Sequence, residues 1–333
     1  MMGSGPGGSV PTVSIIIVNW NSGGQLSSCL ASIAATATDA YRIERVVVVD
    51  NASNDRSADS LQKQDLPLCL VRNATNRGFA AACNQAANGS QADYLLFLNP
   101  DTRLFPDSLT RPLSFMELPE IQQIGIAGVQ LVDDDGRVSR TCARLPTPGR
   151  FLTKMLGLDR ALPDVFPSHF MTEWDHRGNR AVEQVIGAFF LVRRSLFDRL
   201  GGFDERFFVY FEEVDLSARA RALGYGTFYL GDVQAYHRGG GVSEQVKDRR
   251  LFYSLRSRIL YVYKHFGWWS ATGVTVATLL VEPVARLSMA LARGSIREFR
   301  ATLKGYALLL RATPAILKTA SLRRSVKEAE RRH

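Results

Sequence analysis

Four apolar runs in the first hundred residues each stop at a cluster of hydrogen-bonding side chains, and this pattern limits the fold more than any other feature. Val13 to Val18 ends at Asn19-Trp20-Asn21, and Val46 to Val49 ends at Asp50-Asn51. Leu68 to Val71 ends at Arg72-Asn73, and Tyr94 to Leu98 ends at Asn99-Pro100-Asp101. The first two are continuous β-branched runs, as expected of strands buried on both faces, and the other two read as strands as well. Between them, Leu26, Leu30 and Ile33 recur at helical spacing, Ser53 to Leu61 reads as a capped helix, and Gly78 to Ala87 is alanine-rich and helical. Strand and helix in alternation imply an α/β fold, a mostly parallel sheet with helices on both faces. Such sheets bind ligands beyond the carboxyl ends of their strands, where the polar clusters fall. Any one cluster could be turn formers alone; turn formation accounts less well for the two carboxylates that follow fully apolar strands.

The second half continues the pattern. Val185 to Val192 reads as a strand and Ser195 to Leu200 as a short helix closed by Gly201-Gly202. Phe207 to Phe211 is aromatic, Glu212 opens a helix reaching Leu223, Thr227 to Leu230 is a strand, and His237 begins a glycine-rich loop. No GxGxxG follows the first strand and no GxxxxGK[ST] occurs, which disfavours a dinucleotide or P-loop fold. Of 333 residues, 46% are hydrophobic and 22% charged, which excludes a disordered, collagenous or coiled-coil chain. The four cysteines show no metal-binding spacing and fit a reducing compartment. Residues 1–11 are expected to be a disordered leader; they lack the basic and apolar regions of a secretion signal, so the catalytic part is expected in the cytoplasm.

The ordered set Val18-Asn-Trp-Asn21, Val49 to Asp55, Asn76 to Ala80, Asn99-Pro-Asp101, Gly201 to Glu205, Glu212 to Leu216 and His237 resembles the family-two glycosyltransferases of GT-A fold, nearest their rhamnosyltransferase-like branch. The resemblance runs from about Val13 to Ser243 and implies a catalytic domain over 12–243. It implies an inverting, metal-dependent enzyme that moves a sugar, rhamnose from dTDP-rhamnose, to a saccharide or lipid-linked saccharide in cell-surface polysaccharide synthesis. A non-catalytic sugar-nucleotide-binding or scaffold protein of the same fold is the alternative.

By the same resemblance, Asp101 matches the last Asp of the family's DxD signature and would hold Mg²⁺ or Mn²⁺ against the donor diphosphate. Asn99 stands where the family's first acid lies and would bond a ribose hydroxyl; His237 would complete the metal site. Asp50 would accept the pyrimidine N3 proton, with Asn19, Asn51 and Arg77 also at the donor. Glu213, the second acid of the ED motif, would take the acceptor's proton. Asp215 lies about 200° around the helix from Glu213 and is positioned to pair with Arg219 instead. A helix N-terminus would favour the ionised form of such an acid.

The charge is uneven. From Gly241 onward there are 18 Lys/Arg against 6 Asp/Glu, while the rest holds 23 against 26. The 17 residues from His265 to Val281 carry no formal charge but fall short of the ~20 that span a bilayer, and Glu282, Pro283 and Arg286 follow. A hydrophobic hairpin or interfacial segment is expected. Downstream, Phe299, Leu303, Tyr306, Ala307 and Leu310 form a stripe edged by Arg300, Lys304 and Arg311. Residues 244–333 therefore read as a basic, apolar helical extension on an anionic membrane surface, the inner face of the plasma membrane. Nucleic acid is not the expected partner, because phosphate contacts do not call for an apolar stripe.

Overall fold

The computed structural model describes residues 10–59, 61, 65–239 and 247–330. The chain order of strands is β1 Thr12–Asn19, β2 Arg42–Asp50, β3 Leu68–Arg72, β4 Tyr94–Leu98, β5 Thr102–Leu104, β6 Ile124–Val132, β7 Cys142–Ala143, β8 Arg180–Val182, β9 Gln184–Val185, β10 Phe189–Arg193 and β11 Gly226–His237. The helices are α1 Gln25–Ala34, α2 Phe79–Ala87, α3 Asp107–Met116, α4 Pro148–Met155, α5 Leu158–Ala161, α6 Arg194–Arg199, α7 Glu212–Ala222, α8 Lys247–His265, α9 Trp268–Val276, α10 Glu282–Ala292 and α11 Ile296–Glu330.

The main sheet runs β3-β2-β1-β4-β10-β6-β11-β5, with β8 beside β11. β1 pairs in parallel with β2 and β4, and β6 with β11, whereas β10 lies antiparallel between β4 and β6. The sheet is therefore mixed but largely parallel. The polar ends of β1, β2, β4 and β11 share one edge, and the segment that leads into β10 enters from that edge. Alternate residues feed opposite faces: Ile15 and Ile17 pack under α1 and α3, while Ile16 and Val18 pack under α2 and α6. Each such buried side chain contributes about 1.5–3 kcal/mol.

Two sequence expectations fail locally. Residues 53–59 form bends and a turn rather than a helix, and residue 60 lies outside the described residues. Side chains take the amides a helix would need: Asn54 N–H donates to Asn21 Oδ1, Ser57 N–H to Asp55 Oδ1 and Ser53 N–H to Asp50 Oδ1. The run Val185 to Val192 is two strands, broken where the Ile186 N–H turns to the Thr141 carbonyl and the Ala188 carbonyl turns to Asn99 N–H.

The C-terminal helices share a third core with the sheet domain. Leu255, Ile259, Tyr261 and Val262 of α8 meet Phe151, Phe207 and Val214, while Tyr306, Leu309 and Ile316 of α11 close the other side. The boundary expected between 243 and 244 falls within 240–246, outside the described residues, as do residues 1–9 of the leader. The apolar segment is not interrupted at Glu282 and Pro283. One helix runs Trp268–Ala292, 25 residues, long and apolar enough by length and composition to cross a membrane. A wide turn over Ala277–Val281 precedes Pro283 and absorbs its missing N–H. Glu282 is tolerated because Arg258 and Arg286 both pair with it, the former buried.

Candidate active site

A cavity of about 600 Å³ opens at the polar edge of the sheet. Asn51, Asn99, Asp101 and His237 line it, joined by Trp20, Gln25 and Asn76. Asp101 follows β4 and His237 ends β11, and their side chains meet with Nε2 to Oδ1 at 3.4 Å. Both are mostly enclosed, the side chains 13% and 12% exposed. Among the described residues no group of three His, Cys, Asp or Glu gathers to hold a metal. A carboxylate with an imidazole still suits Mn²⁺, and Mg²⁺ less well, since such ions take most of their remaining ligands from water and substrate phosphates. The Asn99 backbone is fixed by its N–H to the Ala188 carbonyl, and the Thr102 N–H returns to the Asn99 carbonyl. This tight turn sets the direction of Asp101.

Asn51 lines the cavity, but its amide is fully engaged. Its Oδ1 accepts from Asn73 Nδ2 and the Arg77 N–H at 3.1 and 3.0 Å, and its Nδ2 donates to Asn76 Oδ1 and the Gly78 carbonyl at 3.0 and 3.1 Å. It holds the loop between β3 and α2 in shape. That loop presses on the aromatic segment: Gly78 has φ of +86°, and a Cβ there would lie 2.5 Å from the Phe208 carbonyl oxygen. The next amide, Phe79 N–H, donates to that same oxygen.

Asp50, Asn19, Arg77 and Glu213 are not part of the cavity wall. Asp50 is buried at the end of β2, where Oδ1 accepts from Asn19 Nδ2 at 3.2 Å and Oδ2 faces Arg72 at 3.4 Å. Asp50, expected at the donor, is therefore engaged by its own neighbours. Asn19 is itself buried and bonded to Asp50, Ser53 and Ser57. The Arg77 side chain is exposed, and the residue contributes its backbone N–H to Asn51.

The two acids that open α7 differ from Asp215. One carboxylate oxygen of Glu212 and one of Glu213 are buried with no hydrogen-bond partner. Burial pushes both carboxyls up, with the Glu213 charge adding to the rise at Glu212. The backbone amides at Glu213, Val214 and Gly187 oppose the rise at Glu213 without cancelling it. Burial therefore outweighs the helix N-terminus, contrary to the sequence expectation. Tyr210 and Phe211, just before α7, both adopt positive φ, at 68° and 73°. Non-glycine residues seldom do so, and such strain concentrates at functional sites. It turns Glu213 toward Gly187, in the segment that leads into β10. Asp215 is completely buried, and Arg219 Nε, Lys264 Nζ and His265 Nε2 lie 2.7, 2.5 and 2.8 Å from its carboxylate. Burial alone would raise it, but the His265 hydrogen bond and the charges of Arg219 and Lys264 hold it below the usual carboxylate range.

The cavity also draws on residues that sequence reasoning passed over. Phe208, Val209 and Tyr210 line it, as do Arg249, Arg250 and Tyr253 of α8. The aromatic run Phe207 to Phe211 was the available signal for the first group. Nothing in the sequence shows that α8 returns to the edge of the sheet.

Comparison with known proteins places the family and the fold. The model of "Glycosyl transferase family 2" matches residues 14–201. An N-acetylglucosaminyl-diphospho-decaprenol L-rhamnosyltransferase of Mycobacterium tuberculosis is 26% identical over 274 residues, 77% of this chain and 86% of that protein. The rhamnosyltransferase WbbL of Escherichia coli is 26% identical over 51% of this chain and 61% of its own length. Among solved structures, a mannosyltransferase of Pyrobaculum calidifontis, in complex with GDP-Man and Mn²⁺, aligns with a TM-score of 0.52 at 18% identity over 92% of this chain and 86% of its own. GalNAc-T7 with UDP, GalNAc and Mn²⁺ aligns at 0.56 and 15% identity, over 90% of this chain and 55% of that one. These two share the fold. The matched span runs from β1 through the metal-compatible turn after β4 to the end of α6, more than half the chain, so the protein belongs to glycosyl transferase family 2 and is a glycosyltransferase.

Proposed function

We propose that this enzyme transfers rhamnose from dTDP-rhamnose, with inversion, to a lipid-linked saccharide at the cytoplasmic face of a membrane, for cell-surface polysaccharide synthesis. The observation that carries the reading is the approach of Asp101 and His237 at one cavity wall. These two would hold Mn²⁺ or Mg²⁺, which would neutralise the charge gathering on the departing diphosphate. The choice of rhamnose and of a lipid-linked acceptor rests on the activities of the Mycobacterium tuberculosis and Escherichia coli relatives.

In this reading the Asn99 side chain bonds the ribose. Asp50 serves the pyrimidine from behind the wall, where a carboxylate's several acceptor positions are not exhausted by Asn19, Ser53 and Arg72. Asn19 and Asn51 act as positioning residues, and Arg77 closes the loop through its backbone. Glu213 takes the proton from the acceptor hydroxyl. Burial raises its carboxyl above the usual glutamate range, the direction that strengthens it as a base. The extension rests on anionic lipid: Trp269, Leu280, Val284 and Leu291 are each more than 60% exposed, on a helix preceded and followed by basic residues.

The test is a binding and turnover screen of the full chain across nucleotide sugars, with Mn²⁺, Mg²⁺ or chelator. Metal-dependent binding of dTDP-rhamnose and transfer to a prenyl-diphosphate saccharide is the expected result. Tight binding with no transfer to any saccharide would favour a sugar-nucleotide-binding scaffold instead.

A further inference from the structure

The donor diphosphate has its metal pair at Asp101 and His237, yet the same cavity carries a second centre of positive charge. Arg249 and Arg250, on the first turn of α8, both line it. Neither guanidinium has an ion-pair or hydrogen-bond partner among the described residues, in contrast to Arg256 and Arg258 on the same helix, which bond to the Arg206 carbonyl and to Glu282. Two adjacent guanidiniums on the wall of a pocket, unpaired among the described residues and each with a planar fork of donors, match two linked phosphates.

Their place in the fold points to whose phosphates these are. A Cβ added at Gly305 of α11 would meet the Asp248 carbonyl oxygen at 3.0 Å, so α11 packs directly on the turn that carries the two arginines. Three residues after Gly305, and so on the same side of α11, Leu308 is 37% exposed, while Ile296 at the start of α11 is 67% exposed. The pair thus stands where a polar cavity gives way to an apolar surface. On the cavity side, Tyr253 stacks on Phe208 at 4.7 Å between ring centroids and 15° between planes. A molecule with a saccharide in the cavity, an apolar chain on the α11 face and a doubly charged link between them would meet all three features at once.

We propose that Arg249 and Arg250 form a diphosphate clamp for the acceptor, so that the enzyme takes a prenyl-diphosphate-linked saccharide and holds its link apart from the donor's. This rests on the proposed transfer to a lipid-linked acceptor and adds where that acceptor is gripped. The test uses the full chain with farnesyl diphosphate as probe, while dTDP and Mn²⁺ saturate the donor site. Wild type should bind the probe, and Arg249→Ala/Arg250→Ala should bind it at least about tenfold more weakly. Farnesol binding and dTDP binding should change less than about twofold, and Arg249→Lys/Arg250→Lys should recover part of the loss. An unchanged melting temperature shows that the fold is intact. Equal affinity of variant and wild type for farnesyl diphosphate would overturn the clamp. So would a parallel loss of dTDP binding, which would assign the arginines to the donor, or of farnesol binding, which would make them part of the lipid surface. Failure of wild type to bind dTDP with Mn²⁺ would instead sink the donor reading, and the farnesyl diphosphate comparison would still decide the clamp.

Discussion

Glu213 and Asp215 are two residues apart, yet their surroundings set them to opposite tasks. Asp215 is paired with Arg219 and Lys264 and hydrogen-bonded to His265, and cannot accept a proton from a substrate without abandoning them. Asp215→Asn should therefore damage stability, by about 1–3 kcal/mol, since Arg219, Lys264 and His265 lose a buried charged acceptor although Lys264 keeps Asp204. The sign with pH follows from its depressed pKa. The stabilisation is present above the unfolded value of about 3.9 and is lost as pH falls through the folded one, so urea melts of wild type and variant should converge in acid. Glu213→Gln should leave melting and donor binding near wild type while kcat drops by roughly 10²–10⁴-fold. Because burial raises Glu213 and a base must be ionised, the acid limb of the wild-type rate profile should lie above the ordinary glutamate value of about 4.3. If Asp215→Asn folds normally and loses transfer while Glu213→Gln works, the assignment within the acidic cluster is wrong. The residue types here were legible in the sequence. What was not legible was engagement: Asp50 and Asn51 were expected at the donor, but both side chains are taken up by neighbours from β1 and the loop after β3.

Secondary structure followed the sequence wherever the period was strong and side chains did not compete with the backbone. β1, β2, β3 and β4 stand within a few residues of their apolar runs; β1, β4 and the end of β2 are buried on both faces, which leaves few alternatives, whereas β3 is the half-exposed edge strand. The segment after β2 departs because Asn, Asp and Ser capture its amides, a competition that a helical reading of Ser53 to Leu61 ignores. The antiparallel β10 was also beyond sequence reasoning, since strand direction depends on the path of the whole connection. Among the loops, the one between β3 and α2 is the most constrained. Gly78→Ala meets both an unfavourable φ and the Phe208 carbonyl, and should lower stability by about 1–3 kcal/mol. The same change shifts the Asn76–Phe79 wall, so nucleotide affinity should fall with it in a calorimetric titration. Wild-type affinity in a destabilised Gly78→Ala protein would separate this loop from the donor site.

At the scale of the molecule, the extension is both a packing element and a surface. Tyr306, Leu309 and Ile316 of α11 complete a core with α8, so removing α11 would open that core as well as alter the surface. Point changes on the outer face avoid this. The inner face of the long helix packs through Ala271, Val274, Thr275, Thr278 and Glu282, and Glu282 is tied to Arg258 of α8. A helix held along one side by its own domain is suited to lie in the plane of a lipid surface, although its length alone would allow a crossing. Trp269, Leu280 and Val284 are 85%, 66% and 63% exposed and meet no core. Replacing all three by Glu should leave melting within the small range of surface substitutions. Burial of each in lipid contributes about 1.5–3 kcal/mol, so binding to vesicles rich in anionic lipid should weaken by at least about a hundredfold. Wild type should sediment with those vesicles, release in part at high salt as the basic edge is screened, and keep the apolar share of its affinity. Alkaline carbonate should strip it from the vesicles, which it would not do to a crossing helix. Undiminished vesicle binding by the triple variant would remove this face from the membrane and leave the helix as packing alone.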